Sequence, residues 1–421
     1  MNITVCNDGC EIPENVSGSF IGKIQKHISM RKDSSGREIQ CFDFVGLVLD
    51  EKDGILVVLP KHCRHSDDPT GAVDARLLLN VMMKLNRDPL AGFSEDKMES
   101  DYPFDAFCKI YEYYRAYGLY RDTTRRFLSQ PPGKINWKAT FSRSPYMMLG
   151  NQAFPFPFWY SHSAKEESFL TACMAHAIDS TIERFPILLE GFQSTGMRNA
   201  DDYLSGDSDW IVRTLGMIQE RTFRDSTINL IQALRDFYSN KNRGGGLALR
   251  YASFDRCWEI LVGSYLRRHF AGVDDNGAMK FSVSGYTKLG DQVTFDKFNN
   301  APGKASQELR IDHYFYDSQH DIQYIIDEKY YRNVTEFNYK QFAYTIMLYN
   351  HPIEATGRPA SFTYSMLVLP SERFRHAIHY VANEAFLPFF SKENPDRRGL
   401  SIYEEYLDVR AVMRDYMELG W

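Results

Sequence analysis

Two apolar runs separated by a polar turn, the second closed by an acid-x-lysine triplet, constrain this chain more than any other feature. Glu308-Leu309-Arg310-Ile311-Asp312-His313-Tyr314-Phe315-Tyr316 leads into Asp317-Ser318-Gln319-His320-Asp321. Ile322-Gln323-Tyr324-Ile325-Ile326-Asp327-Glu328-Lys329-Tyr330-Tyr331 follows. β-branched and aromatic residues on both sides of a polar break predict strand, turn, strand. Side chains alternate along a strand, so Asp327 and Lys329 share one face while Glu328 points to the other. Asp312, on the partner strand, can approach the Asp327 face.

Two carboxylates with a lysine two residues past the second suit metal-dependent phosphodiester hydrolysis. The carboxylates hold Mg²⁺ (or Mn²⁺), which activates water and neutralises developing phosphate charge. The lysine orients that water or stabilises the pentavalent phosphate. The bare triplet is weak evidence, since Asp50-Glu51-Lys52 and Glu95-Asp96-Lys97 have the same form. Taken alone it reads as a solvated strand end with an incidental ion pair. The elements around the third copy change that balance. Upstream, the apolar helix expected from Phe254 to Phe270 carries Glu259 beside Trp258, a candidate third metal ligand or a surface carboxylate. Downstream, the helix expected at about 336–349 places Gln341 and Tyr344 three residues apart on one face, aimed at the site or simply packed.

The rest of the chain organises around this unit. Cys41-Phe42-Asp43-Phe44-Val45-Gly46-Leu47-Val48-Leu49-Asp50 and Ile55-Leu56-Val57-Val58-Leu59-Pro60 flank an Asp53-Gly54 turn, a hairpin signal. Helices are expected over 71–90 and 102–130, and then from about 164 to 240. Asn242-Arg243-Gly244-Gly245-Gly246 reads as a linker. After the helix at 336–349, a strand is expected at Ser361 to Leu369 and a helix from Glu372. The expected class is α+β or α/β and multidomain. An N-terminal β-rich partner-binding region covers 1–160, a helical connecting region 161–245, and a mixed sheet flanked by helices 246–421.

Composition limits function without naming it. Hydrophobic residues are 43% and charged residues 25%, as in ordinary folded soluble protein, so a disordered or fibrous chain is excluded. No apolar run approaches a membrane span, and the start lacks a signal-peptide pattern, so a soluble, cytoplasmic protein with no membrane partner is expected. The net charge of −6 shows no global nucleic-acid footprint, but Arg115 to Arg143 holds seven cations against one acid, with Tyr117, Tyr120, Phe127 and Trp137 interleaved. Arg125, Arg126, Lys134 and Lys138 are the candidate contacts there for DNA phosphate or an acidic partner, against the plainer reading of a solvated face. Cys6, Cys10, His62, Cys63 and His65 match no standard zinc spacing.

Glu on a helix, Asp on one strand, Asp-x-Lys on the next, then a helix with Gln and Tyr resembles the PD-(D/E)xK nuclease superfamily. Asp327-Glu328-Lys329-Tyr330-Tyr331 followed by Gln341-Phe342-Ala343-Tyr344 is similar to the nuclease domain of the McrC family. Cys41-Phe42-Asp43-Phe44-Val45-Gly46 and Pro132-Gly133-Lys134-Ile135-Asn136-Trp137-Lys138-Ala139-Thr140 resemble the related LlaJI-type restriction endonucleases. Ile311 stands where many members have Pro. The resemblance implies a PD-(D/E)xK-type sheet at the C-terminal end. Asp312 and Asp327 become metal ligands and Lys329 the catalytic lysine. Gln341 and Tyr344 fall on the motif's following helix, and Glu259 on its upstream acidic position. It further implies an endonuclease subunit acting on double-stranded foreign DNA in phage defence, paired with an AAA+ motor of the McrB kind. No Gly-x-x-x-x-Gly-Lys-[Ser/Thr] loop occurs here, so the motor is expected on a separate subunit. The expectation is that the hairpin at 41–60 and the basic stretch engage it. Two other readings stay open: a non-catalytic subunit with a degenerate nuclease fold that docks on and stimulates the motor, and a stand-alone repair-type nuclease.

Overall fold

A computed structural model of the 421-residue chain describes residues 2–33, 35–50, 53–86, 99–100, 102–131, 133–198, 200, 204, 207–240, 247–282, 293–295, 308–332, 334, 336–381 and 401–418. The linker expected at 242–246, the turn residues Glu51 and Lys52, Pro132 and the triplet at 95–97 lie outside these.

In chain order the elements begin with β1 (Ile3–Asn7), α1 (Gly18–Ile24), β2 (Ile28–Lys32), β3 (Glu38–Phe42), β4 (Val45–Asp50), β5 (Gly54–Leu59), α2 (Ala72–Leu85) and β6 (Glu99–Ser100). Next come α3 (Phe104–Tyr117), β7 (Asp122–Leu128), β8 (Lys134–Ile135), α4 (Trp137–Arg143), β9 (Tyr146–Leu149), β10 (Gln152–Pro155) and β11 (Tyr160–Glu166). Helices α5 (Phe169–Arg184), α6 (Ser208–Gln219) and α7 (Asp225–Asn240) follow. The last part holds β12 (Leu247–Tyr251), α8 (Asp255–His269), β13 (Phe270–Val273), β14 (Met279–Phe281), β15 (Val293–Phe295), β16 (Leu309–Ile311), β17 (His313–Asp317) and β18 (Ile322–Glu328). It ends with α9 (Tyr339–Tyr349), β19 (Phe362–Ser371), β20 (Arg375–Val381), β21 (Ser401–Asp408) and α10 (Val409–Glu418). The class is mixed α+β. None of the described helices is long and apolar enough to cross a membrane.

The chain divides into two compact units, Met1–Asp101 with Gly246–Trp421, and Tyr102–Gly245. This division differs from the linear one at 160 and 245. The reason is strand pairing: β12 lies between β4 and β6 in a sheet of order β1-β5-β4-β12-β6, which ties residues after 246 to the first hundred.

In the first unit, β4 and β5 form the expected hairpin and are buried along nearly their whole length. Gly54 makes the turn with φ 97°, where its missing Cβ leaves room for the Asn2 carbonyl. Val48, Leu56 and Val58 pack with Phe20 and Ile24 of α1, while α2 contacts the same two strands. Strands apolar on both faces need cover on both faces. The expectation that this hairpin forms a partner-engaging surface is therefore corrected: it is the centre of a core.

The second large sheet of this unit runs β17-β18-β19-β21-β20, with β18, β19 and β21 mutually parallel. The helix expected from Glu372 is the strand β20, because pairing with β21 outweighs the local signal.

The second unit packs α3, α5 and α7 around Phe104, Phe107, Cys173, Leu234 and Phe237. The helix expected over 102–130 ends at Tyr117. Gly118, at φ 74°, breaks it, and Asp122–Leu128 pairs with β11 in the sheet β7-β11-β8. Leu47→Ala is expected to cost about 2–5 kcal/mol of stability by leaving a buried cavity. Met148→Ala, on the exposed hairpin of β9 and β10, should stay within about 0.5 kcal/mol. Chemical denaturation of both variants checks this.

Candidate active site

Strand β18 places the site. It lies between β17 and β19, and Lys329 extends it by donating its backbone N–H to the Val368 carbonyl at 2.9 Å. Asp327 is fully buried and Glu328 nearly so. Their side chains part as the alternation requires. Asp327 meets Lys340 of α9, while Glu328 pairs with His313, whose ring lies against Gly263 of α8. A Cβ at 263 would come within 2.9 Å of that ring.

Asp312 occupies the bend between β16 and β17, and its carboxyl hydrogen-bonds to that of Asp327. Burial, then the charges of Asp327 and Glu328, push Asp312 up to about 9, with Glu259 adding to the effect. Asp312 therefore keeps its proton at neutral pH, which spares the site a second negative charge beside Asp327. Lys329 ion-pairs with Asp327 and donates to the Glu328 carbonyl at 2.9 Å. Lys340 reaches the other Asp327 oxygen at 3.3 Å and lies 5.1 Å from the centre of the Tyr344 ring.

The structure thus brings Asp312, Asp327 and Lys329 together. Glu259 lies close enough to influence Asp312, but its carboxylate is held by Arg256, one turn earlier on α8. Among the described residues no group of three or more His, Cys, Asp or Glu side chains is arranged to hold a metal ion. The expected three-carboxylate set therefore does not converge, because an i,i+3 arginine takes its third member. What remains is a two-carboxylate site, Asp312 and Asp327, with Lys329 and Lys340 beside it.

Gln341 is buried and does not project into the site. Its side-chain amide lies 3.1 Å from the Ile325 carbonyl, 2.8 Å from the Ser365 hydroxyl and 3.3 Å from the Met366 carbonyl, which fastens α9 to β18 and β19. Tyr344 packs on the cluster of Leu309, Ile311, Ile325 and Leu348 and carries Lys340 on its face. Sequence reasoning missed Lys340, although it adjoins Gln341 in the first turn of α9.

Behind the site, the Tyr330 hydroxyl donates to Asp8 at 3.0 Å and accepts from the Lys61 backbone N–H at 2.8 Å. Burial pushes Asp8 up to about 6, against the lowering effects of Lys61 and the Tyr330 bond. Of the cysteines considered for zinc, burial raises Cys63 to about 12, and burial with Cys10 nearby raises Cys6 to about 11. Both are thiols at neutral pH.

Arg125, Arg126, Lys134 and Lys138 are all exposed in the second unit. Adjacent strand residues leave on opposite faces, so Arg125 and Arg126 start from different sides of β7, and Glu166 pairs with Arg126. The hairpin of β9 and β10, not singled out in the sequence, presents Tyr146, Met147, Met148 and Phe154 to solvent, with Trp137 and Phe141 of α4 also exposed.

No family model matches the chain, and no curated relative does. Among solved structures it is similar to a chain of the half-complex from the tetradecameric assembly of Thermococcus gammatolerans McrB AAA+ hexamers with bound McrC. The match covers the whole of both chains at 12% identity and a TM-score of 0.38. So low a score leaves function to be argued from the residues themselves.

The folded value of Asp312 lies above its unfolded one. Its contribution to stability is therefore fully present below about pH 4 and lost as the pH climbs toward about 9. Asp312→Asn is expected to melt about 3–6 °C above the parent at pH 8 in chelator, with the gap closing at pH 4. Thermal scans across that range check it.

Proposed function

We propose that the chain is a Mg²⁺-dependent DNA endonuclease subunit of a motor-driven restriction system of the McrBC or LlaJI kind. The observation that carries this reading is the carboxyl pair of half-buried Asp312 and buried Asp327, with Lys329 on the same strand face as Asp327. Two carboxylates repelling each other out of water favour a divalent cation over a shared proton. Bound there, Mg²⁺ or Mn²⁺ supplies water activation and charge neutralisation. Asp312 and Asp327 would hold it. Lys329, paired with Asp327, would present its ammonium to the attacking water or the crowded phosphate. Gln341 keeps α9 in register, and Glu328 with His313 supports the strand from behind.

In this reading the second unit engages the partner. The Tyr146, Met147 and Met148 hairpin combines exposed apolar side chains with nearby cations in sequence, which suits the surface of a separate AAA+ subunit better than bare DNA phosphate does. A neighbouring gene for an AAA+ protein would be the first cheap support.

The test is plasmid cleavage by the purified chain with Mg²⁺, alone and with that AAA+ protein and nucleotide. Asp312→Asn, Asp327→Asn and Lys329→Met are each expected to reduce cleavage about a hundredfold or more while the chain stays folded. A parent chain that stimulates nucleotide hydrolysis yet never cuts DNA would favour the non-catalytic subunit. Cutting that needs no partner would favour the stand-alone nuclease. Met148→Glu should lower stimulation of the partner's hydrolysis, and joint charge reversal at Arg125, Arg126, Lys134 and Lys138 should leave it intact if those residues contact DNA instead.

A further inference from the structure

Two ammonium groups serve one carboxylate at this site, and they differ in how they are held. Lys329 has a side chain only 14% exposed and a second bond to the Glu328 carbonyl. Lys340 is 51% exposed, contacts the other Asp327 oxygen at 3.3 Å, and rests its arm on the Tyr344 ring. Asn338 caps the helix beneath it by accepting from the Gln341 N–H at 2.9 Å, so the backbone at 340 is fixed and only the side chain is free to move. Asp327 thus faces two ammonium groups at once. A divalent cation arriving there must displace one of the two lysines. The exposed one leaves at least cost, since its ammonium is already hydrated.

We propose that Lys340 guards Asp327: it competes with the divalent cation for this carboxylate, and on being displaced it contacts a DNA phosphate beside the scissile bond. This rests on the nuclease reading above and adds a residue to it. The guard keeps the buried Asp327 carboxylate paired while the site waits, and couples metal entry to DNA engagement.

The experiment titrates Mn²⁺ into the full chain by calorimetry without DNA, for the parent, Lys340→Met, Lys340→Arg and Asp327→Asn. Duplex binding over a series of salt concentrations is measured with and without Lys340→Met in a Lys329→Met background, so that no cleavage intervenes. Lys340→Met is expected to bind Mn²⁺ about two- to fivefold tighter than the parent, the range of a half-exposed ion pair, while Lys340→Arg stays near the parent. The slope of log affinity against log salt should become shallower by about 0.9, one phosphate contact. If Asp327→Asn abolishes Mn²⁺ binding but Lys340→Met changes neither affinity nor slope, the guard is overturned and the metal site stands. Tighter Mn²⁺ binding with an unchanged slope supports the guard and overturns the phosphate contact. If the parent binds no Mn²⁺, or Asp327→Asn binds it equally well, the nuclease reading falls and the guard falls with it.

Discussion

The bond set around Tyr330 joins the two large sheets of the first unit, and the site's geometry depends on it. Tyr330 follows Lys329 directly. Its hydroxyl is held between Asp8, at the end of β1, and the Lys61 backbone, just past β5. Lys61 closes the arrangement by donating to the Tyr330 carbonyl at 3.1 Å and lying 4.2 Å from the ring centre. Two residues on, Arg332 donates to the Gly9 carbonyl and His62 contacts the Arg332 carbonyl. A strand end ordinarily frays. Here the residues after Lys329 are fixed by Asp8, Gly9, Lys61 and His62, more than 250 positions away. Burying Asp8 is costly, as its raised value shows, and the hydroxyl and ammonium around it offset that cost.

The same logic of burial and compensation organises the site itself. Asp327 and Glu328 are adjacent and both out of water, which no strand tolerates without partners on both faces. Lysines meet the first and a histidine the second. Asp312, pushed up to about 9 chiefly by burial, keeps its proton. A structure that needed only stability would do better with apolar residues at these positions.

Much of this was legible in the sequence. β17 and β18, α8, α9 and the β4–β5 hairpin follow from apolar runs and turn chemistry, and the Asp327-x-Lys329 spacing shows its shared face directly. What was not legible is long-range or ambiguous. Asp122–Leu128 carries arginines and threonines that suit either helix or strand, and only β11 decides between them. Arg375–Val381 is decided by β21. Gln341 sits at a helical position compatible with the site, yet turns inward to backbone carbonyls that periodicity cannot place. Glu259 looked like a ligand because the sequence gives no weight to Arg256 three residues before it. The bonds between Tyr330 and Asp8 have no local signature at all.

The position of the second unit in the chain bears on how such a protein can change. Its two ends leave from β6 and return through β12, neighbouring antiparallel strands at the edge of one sheet. A segment whose ends are already adjacent adds little loop-closure cost to the unit that hosts it. The inserted helices and exposed hairpins can therefore vary in length and surface while β1, β5, β4 and the Tyr330 bonds stay unchanged. Exposed methionines and aromatics gather in that insertion, and buried carboxylates gather in the host. The two units are thus parts of the chain under different constraints. The surface of one can be altered without disturbing the charge balance on which the other depends.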